Sequence, residues 1–359
     1  MPPLAIADLT LAIGTSTGSV RQRNEDRVAV AQISGANGEN YFVALACDGV
    51  GGSEMGDVAA SMAIAVFLDE LVHTRLKHPL ATLLPRLIRR VDDRVRDALQ
   101  GKGATTISVL IAAGEGEIAA TNVGDSRIYA WIPLKDKLIQ ISRDDTMENE
   151  LSDLALKDPS ALRFRGLGGS LSQAIGESGR TRDELRIKLL DSEYFSDGVV
   201  LATDGAWKGA EDGFNAVLKK APTSTAAVSR ALSLATWSGG FDNASIIVIE
   251  KVKEAIANIP KFPVGTLKVN VWLGNTKVVL SGVDSITNVK PPEDERPIMK
   301  SDIRKALRKK YVRSSKAEPK TPEQLNFKIA DDSAPTRKKE ARAKIEISID
   351  SDQSQDTES

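Results

Sequence analysis

At 359 residues the chain is long enough for one large domain or two ordinary ones, and its 41% hydrophobic and 27% charged residues are those of a globular protein. A formal net charge of −1 gives the whole molecule no field that would draw it to DNA or to an anionic membrane, so nucleic-acid partners are not expected. Cys47 is the single cysteine, which excludes an intramolecular disulfide and a multi-cysteine zinc site and points to a reducing compartment.

The N-terminal run MPPLAIADLTLAIG is apolar but has no basic flank and leads straight into a strand pattern, so it is not read as a signal peptide. No run reaches the roughly 18 to 20 apolar residues that a membrane helix needs. A cytoplasmic location without membrane contact is expected.

Strand signals open the chain at residues 9–16, 27–33 and 41–46. Two helices follow. Over residues 57–76, Val58, Met62, Ala65, Val66, Leu68 and Val72 recur at mostly three- and four-residue steps. Over 79–100 the same spacing carries Leu80, Leu83, Leu84, Leu87, Ile88, Val91, Val95 and Leu99, with arginines and aspartates on the other face. Strands return at 105–113, 117–122 and 127–132, separated by glycine-containing turns. Residues 142–169 have no clear period and read as a long loop with some helix, a kind of segment that is often functional. Short β-branched runs at 199–203 and 245–250 read as buried strands, with a helix at 224–237 between them. Strands, then two adjacent helices, then strands again suit two packed sheets flanked by helix layers better than a parallel βαβ sheet.

Past residue 253, runs at 267–273 and 276–280 flank Gly274-Asn275, a two-residue hairpin signal. From Pro291 the chain is rich in Pro, Lys, Arg, Glu and Ser, with one short helix expected at 301–311 and disorder beyond it.

Four aspartates share a local setting at the end or start of an apolar strand: Asp48 (ALACDGVGG), Asp125 (ATNVGDSRIY), Asp204 (VVLATDGAW) and Asp242 (SGGFDNASIIV). Glu25 and Asp26 form a further acidic pair in STGSVRQRNEDRVAV. Taken singly, an aspartate-glycine after a strand reads as a turn. Taken together, carboxylates at strand ends suit hard divalent cations, and their mutual repulsion calls for such cations. On the residues alone both readings stand.

The motifs V-R-Q-R-N-E-D, D-G-V-G-G, G-D-S-R, L-A-T-D-G-A-W and F-D-N-A-S, with GATTISVLI and LSQAIGE between them, resemble in kind and order those of the metal-dependent phosphatase family known as PP2C or PPM, bacterial type. The resemblance covers roughly residues 8–252. It implies an α+β fold, a four-layer αββα sandwich of two antiparallel sheets. It implies a catalytic domain over 1–253; the composition beyond it reads as a small β-hairpin extension at 254–290 and a polar, largely disordered tail at 291–359.

What the resemblance implies for the site is specific. Asp48 bridges two ions, Mn²⁺ or Mg²⁺, with the Gly49 carbonyl as a further ligand. Asp204 and Asp242 complete the first ion, and Glu25 and Asp26 hold metal-bound waters. Arg21 binds the substrate phosphate through its planar fork. Asp125 stands where bacterial members have a ligand for a third, weaker ion, shared with Asp204. The implied activity is hydrolysis of phosphoserine and phosphothreonine in proteins by metal-activated water, opposing a serine/threonine kinase, in a monomeric enzyme. The alternative is a pseudophosphatase that scaffolds a phosphoprotein, but such a chain is expected to have lost part of the Asp48, Asp204 and Asp242 set.

Two positions depart from the family pattern. Val50 stands where eukaryotic relatives carry histidine, a proposed general acid, so the resemblance implies that a metal-bound water protonates the leaving group. Asp145 stands where the family commonly has histidine, which puts loop packing or substrate preference in question more than catalysis. Residues 143–169 correspond to the family's substrate flap. Cys47 reads as a core thiol, and His73 and His78, the two histidines, suit a helix C-terminus better than a metal.

Overall fold

The apolar runs pair into two sheets, antiparallel throughout. The computed structural model describes residues 4–6, 10–50, 54–114, 116–132, 135–155, 169–195, 197–257, 266–273, 276–283 and 346–350. One sheet has six strands, β1 (Leu4–Ile6), β2 (Leu11–Ser16), β7 (Arg127–Ile132), β8 (Lys137–Gln140), β9 (Gly198–Ala202) and β10 (Ala244–Ile249), in the order β1-β2-β10-β9-β7-β8. The other has seven, β3 (Arg27–Ser34), β4 (Asn40–Cys47), β5 (Ile107–Ala113), β6 (Ile118–Val123), β11 (Thr266–Leu273), β12 (Thr276–Val283) and β13 (Glu346–Asp350), in the order β13-β12-β11-β3-β4-β5-β6.

Side chains alternate between faces along a strand, and here both faces are covered. In β10, Ile247 and Ile249 point into the inter-sheet core with Val30, Phe42, Ala44 and Leu110. Its Ile246 and Val248 face the other way, against helix residues Val228 and Leu232. That double burial explains why the central strands read as continuous apolar runs.

Helices α1 (Gly56–Val72) and α2 (Leu80–Leu99) cover the seven-stranded sheet, while α4 (Asp204–Trp207), α5 (Glu211–Lys219) and α6 (Ser224–Trp237) cover the six-stranded one. The result is the four-layer αββα sandwich expected. α3 (Met147–Ala155) lies in the flap region, and α7 (Val252–Ala257) closes the inter-sheet core with Val252 and Ala255. No helix of the described residues is long and apolar enough to cross a membrane.

α2 buries all eight apolar residues of its predicted face. α1 does not follow its prediction. Its buried set is Gly56, Ala59, Ala60, Ala63, Phe67, Leu71 and Val72, of which only Val72 belongs to the predicted face, while Val58 is exposed. Apolar residues lie almost all around that helix, so its spacing does not select a face, and the small alanines are what allow close approach to the sheet. β8 and α5 carry no readable signal: Lys-Leu-Ile-Gln is an exposed edge strand, and α5 holds Gly213 and Asn215. The predicted hairpin forms and adds to the sheet edge through β11 on β3. In the tail, Glu346–Asp350 pairs with β12, and its alternating Ile347 and Ile349 are the strand signal within an otherwise polar stretch. The helix expected at 301–311 lies outside the described residues, as does the rest of the tail.

Candidate active site

Five motif segments meet at one end of the sandwich, where strand termini from both sheets converge. They enclose a cleft of about 520 Å³ lined by Arg21, Glu25, Asp48, Gly49, Asp125, Asp204 and Asp242, among others. Seven of the eight residues singled out from sequence therefore share one cavity wall. Asp26 is placed elsewhere: it is 3% exposed and sits behind the wall, accepting a hydrogen bond from Thr203 Oγ1 at 2.8 Å.

Each carboxylate is held by the backbone around it. Asp48 follows β4, where its N–H donates to Thr106 Oγ1 at 3.0 Å and its carbonyl accepts from the Thr105 hydroxyl and the Thr106 N–H. The glycine after it is required by close approach, since a Cβ on Gly49 would overlap the Gly56 backbone. Asp204 opens α4 directly after β9. A Cβ on Gly205 would collide with the Asn243 carbonyl oxygen, so the D-G of one motif is packed against the D-N of another. Asp242 takes the Arg21 guanidinium, Nη2 to Oδ2 at 2.8 Å, with both side chains partly exposed. That contact holds the arginine over the cleft and raises its pKa.

The electrostatics follow from burial and crowding. Burial, with Asp26, Asp204 and Asp125 adding to it, pushes the Asp48 carboxyl well above the usual carboxylate range. Burial and the nearby Asp204 push Asp125 up to about 6, with Lys208 partly offsetting the effect. Asp26 is pushed up to about 7, again by burial first, against the opposing hydroxyl bonds from Ser245 and Thr203. Its Oδ1 is buried with no hydrogen-bond partner in the protein.

The lining residues carry six carboxylates against the two cations Arg21 and Lys208. Among the described residues no three acidic, histidine or cysteine side chains close on one point; Asp242 is paired with Arg21 and Asp204 with Lys208. An excess of oxygen donors, raised carboxyl pKa values and an orphaned buried carboxylate oxygen together fit hard divalent cations.

Three residues matter that the sequence reading leaves without a role. Asn243 ties the N-terminal motif into the site: its Nδ2 donates to the Thr17 and Arg23 carbonyls at 2.9 Å each, and its Oδ1 accepts the Glu25 N–H at 2.8 Å. Arg127, the arginine of G-D-S-R, is buried and grips Asp144 through three contacts of 2.8 to 3.0 Å and Glu211 at 2.6 Å, and its guanidinium lies 3.3 Å from the Trp207 ring centroid. Lys208 reaches Asp204 at 3.0 Å. Its spacing of four from Asp204 on a helical turn is a signal the sequence does carry.

The departures also find their places. Asp145 accepts the Gly124 N–H at 3.0 Å and the Gln173 amide at 2.7 Å, pinning the root of the flap to the turn that presents Asp125. A carboxylate thus does there the work of a hydrogen-bonded loop anchor. Val50 lines the cleft. Cys47 is fully buried in β4, where burial pushes its thiol pKa up. His73 and His78 lie at and beyond the end of α1, the first bonded to the Asp69 carbonyl and the second to Arg86, and neither lines the cleft.

Known proteins share both the sequence and the frame. The family model described as protein phosphatase 2C matches residues 13–237. The chain is 25% identical over 250 residues to the serine/threonine phosphatase stp of Listeria monocytogenes, covering 66% of this chain and 94% of that protein. It is 28% identical over 255 residues to the serine/threonine protein phosphatase PstP of Mycobacterium tuberculosis, covering 68% of this chain and 45% of that one. The crystal structure of Stp1 from Staphylococcus aureus has the same fold, with a TM-score of 0.55, 21% identity, and coverage of 67% of this chain and 94% of that one. Because the family model spans most of the double sheet and four of the five motif segments that meet at the cleft, the chain belongs to the protein phosphatase 2C family of metal-dependent serine/threonine phosphatases.

Proposed function

We propose that the cleft is the catalytic centre and that its residues divide the work as follows. Asp48, the Gly49 carbonyl, Asp204 and Asp242 hold two divalent ions, Mn²⁺ or Mg²⁺. Bound ions of this kind supply Lewis acidity and make water a competent nucleophile near neutral pH. The observation that carries the reading is the convergence of Asp48, Asp125, Asp204 and Asp242 from four separated segments on one cavity wall.

Arg21 receives the phosphoryl group of phosphoserine or phosphothreonine, for which its guanidinium presents a planar fork at the cleft mouth. Its pairing with Asp242 keeps it extended over the cavity before substrate arrives, which lowers the entropy lost on binding. Glu25 and the buried Asp26 orient water from the rear, and Asp26 also braces the β9 terminus through Thr203. Ser170 and Leu171, on the return limb of the flap, form part of the wall and shape access for the substrate chain. The catalytic unit corresponds to residues 1–253, acting as a monomer in the cytoplasm against the products of a serine/threonine kinase.

Phosphate release from a phosphothreonine peptide in the presence of Mn²⁺, compared between the wild type and Asp204→Asn, tests the reading. A loss of at least about a hundredfold is expected. Equal rates in the two proteins overturn it.

A further inference from the structure

The resemblance assigns Asp125 and Asp204 to a third, weaker ion. In this chain something else already stands between them. α4 is a single turn that begins at Asp204, and Lys208 follows one turn later, so its side chain folds back over the same face. The Lys208 Nζ lies 3.0 Å from Asp204 Oδ2 and 4.0 Å from Asp125 Oδ2. The returning flap lies near it, where a Cβ built on Gly169 would be 3.8 Å from Nζ. The ammonium thus lies against two carboxylates with the flap glycine near by, while half of its side chain stays exposed.

We propose that Lys208 is a tethered cation that takes the place of the third ion, so that this chain binds two divalent ions rather than three. Lysine offers donors and no acceptor, so it cannot join a ligand set. Its charge repels a dication brought to the same pair of carboxylates, and the two would have to share oxygens that Lys208 already engages. A cation fixed by the fold differs from a bound one in a functional way. It is present at every metal concentration, so neutralisation of Asp125 and Asp204 does not depend on how much Mn²⁺ is available. This inference rests on the cleft being a metal centre.

Mn²⁺ binding to the full chain, counted by calorimetry and by equilibrium dialysis with elemental analysis, decides it. The wild type is expected to bind two ions per chain, with no further phase up to several millimolar. Lys208→Gln is expected to bind a third ion, and Lys208→Asp to bind it at least tenfold more tightly than Lys208→Gln does. Three ions in the wild type, or two in both variants, overturn the proposal while leaving the metal centre standing. No binding by the wild type overturns the metal centre and the proposal with it. If either variant fails to fold, as judged by near-ultraviolet circular dichroism, the wild-type count and the remaining variant still decide.

Discussion

Asn243 Oδ1 accepts the N–H of Glu25 at 2.8 Å, joining positions 218 residues apart and fixing the segment that carries Arg21 and Glu25 to the one that carries Asp242. The same amide donates to two carbonyls of that segment. Asn243→Ala removes three hydrogen bonds from a largely buried site, at about 1 kcal/mol each. A melting-temperature drop of roughly 6 to 12 °C is expected for a domain of this size. Activity should fall further than stability, by tenfold or more in kcat/KM, because Arg21 loses its anchorage. A variant with normal turnover would show that the amide is merely structural.

Arg21→Lys keeps the charge and loses the planar fork. Its expected signature is a KM for phosphothreonine peptide raised about tenfold with a smaller change in kcat, and weaker inhibition by inorganic phosphate, since about 1.4 kcal/mol of contact corresponds to a factor of ten. Steady-state kinetics with phosphate as inhibitor measure both. Unchanged KM and unchanged inhibition would remove Arg21 from the phosphate site.

Gly205→Ala places a methyl group on the Asn243 backbone, and neither partner is a flexible side chain that could yield. A loss of about 3 kcal/mol or more is expected. Gly114→Ala is the comparison, because the nearest atom to a Cβ there is the Asn40 carbonyl oxygen at an ordinary 3.8 Å. That variant should melt within about 2 °C of the wild type, and thermal scans of the two side by side test the contrast.

The buried aspartates in and behind the cleft wall make stability depend on pH in a defined sense. Asp26 and Asp125 are raised to about 7 and about 6 from the unfolded value of 3.8. A raised carboxyl binds its proton more tightly when folded, so its contribution is complete below pH ~4 and is lost as pH climbs through the folded pKa values. The metal-free protein should therefore melt lower at pH 8 than at pH 5, by roughly 5 to 10 °C for a few kcal/mol. Added Mn²⁺ should raise the melting temperature more at pH 8, where the carboxylates are ionised. A chelated protein whose melting temperature is flat across that range would contradict the placement of these groups.

How much of this was open to a reader of the sequence depends on how local each signal is. The face of α2 is legible because its leucines and valines recur on one side and arginines fill the other. The face of α1 is not, because alanines and valines surround that helix and the buried ones are chosen by the sheet beneath. The site aspartates are legible because each sits beside its own strand and glycine. Their supports are not: Arg127 meets Glu211 across 84 positions and Asn243 meets Glu25 across 218, and no spacing rule reports pairings that only the fold creates. Lys208 is the intermediate case, visible as a four-residue step from Asp204 but without meaning until Asp125 is known to lie opposite.

The burial of Cys47 carries a consequence beyond packing. A thiol with no exposed surface and a raised pKa presents neither the thiolate nor the access that peroxide and alkylating agents require. Phosphatases that attack phosphorus with a cysteine are switched off by oxidants at their own nucleophile. The one thiol of this chain is instead buried at the end of β4, next to Asp48. A cysteine-directed oxidant or alkylating agent therefore finds no accessible thiol in the folded chain.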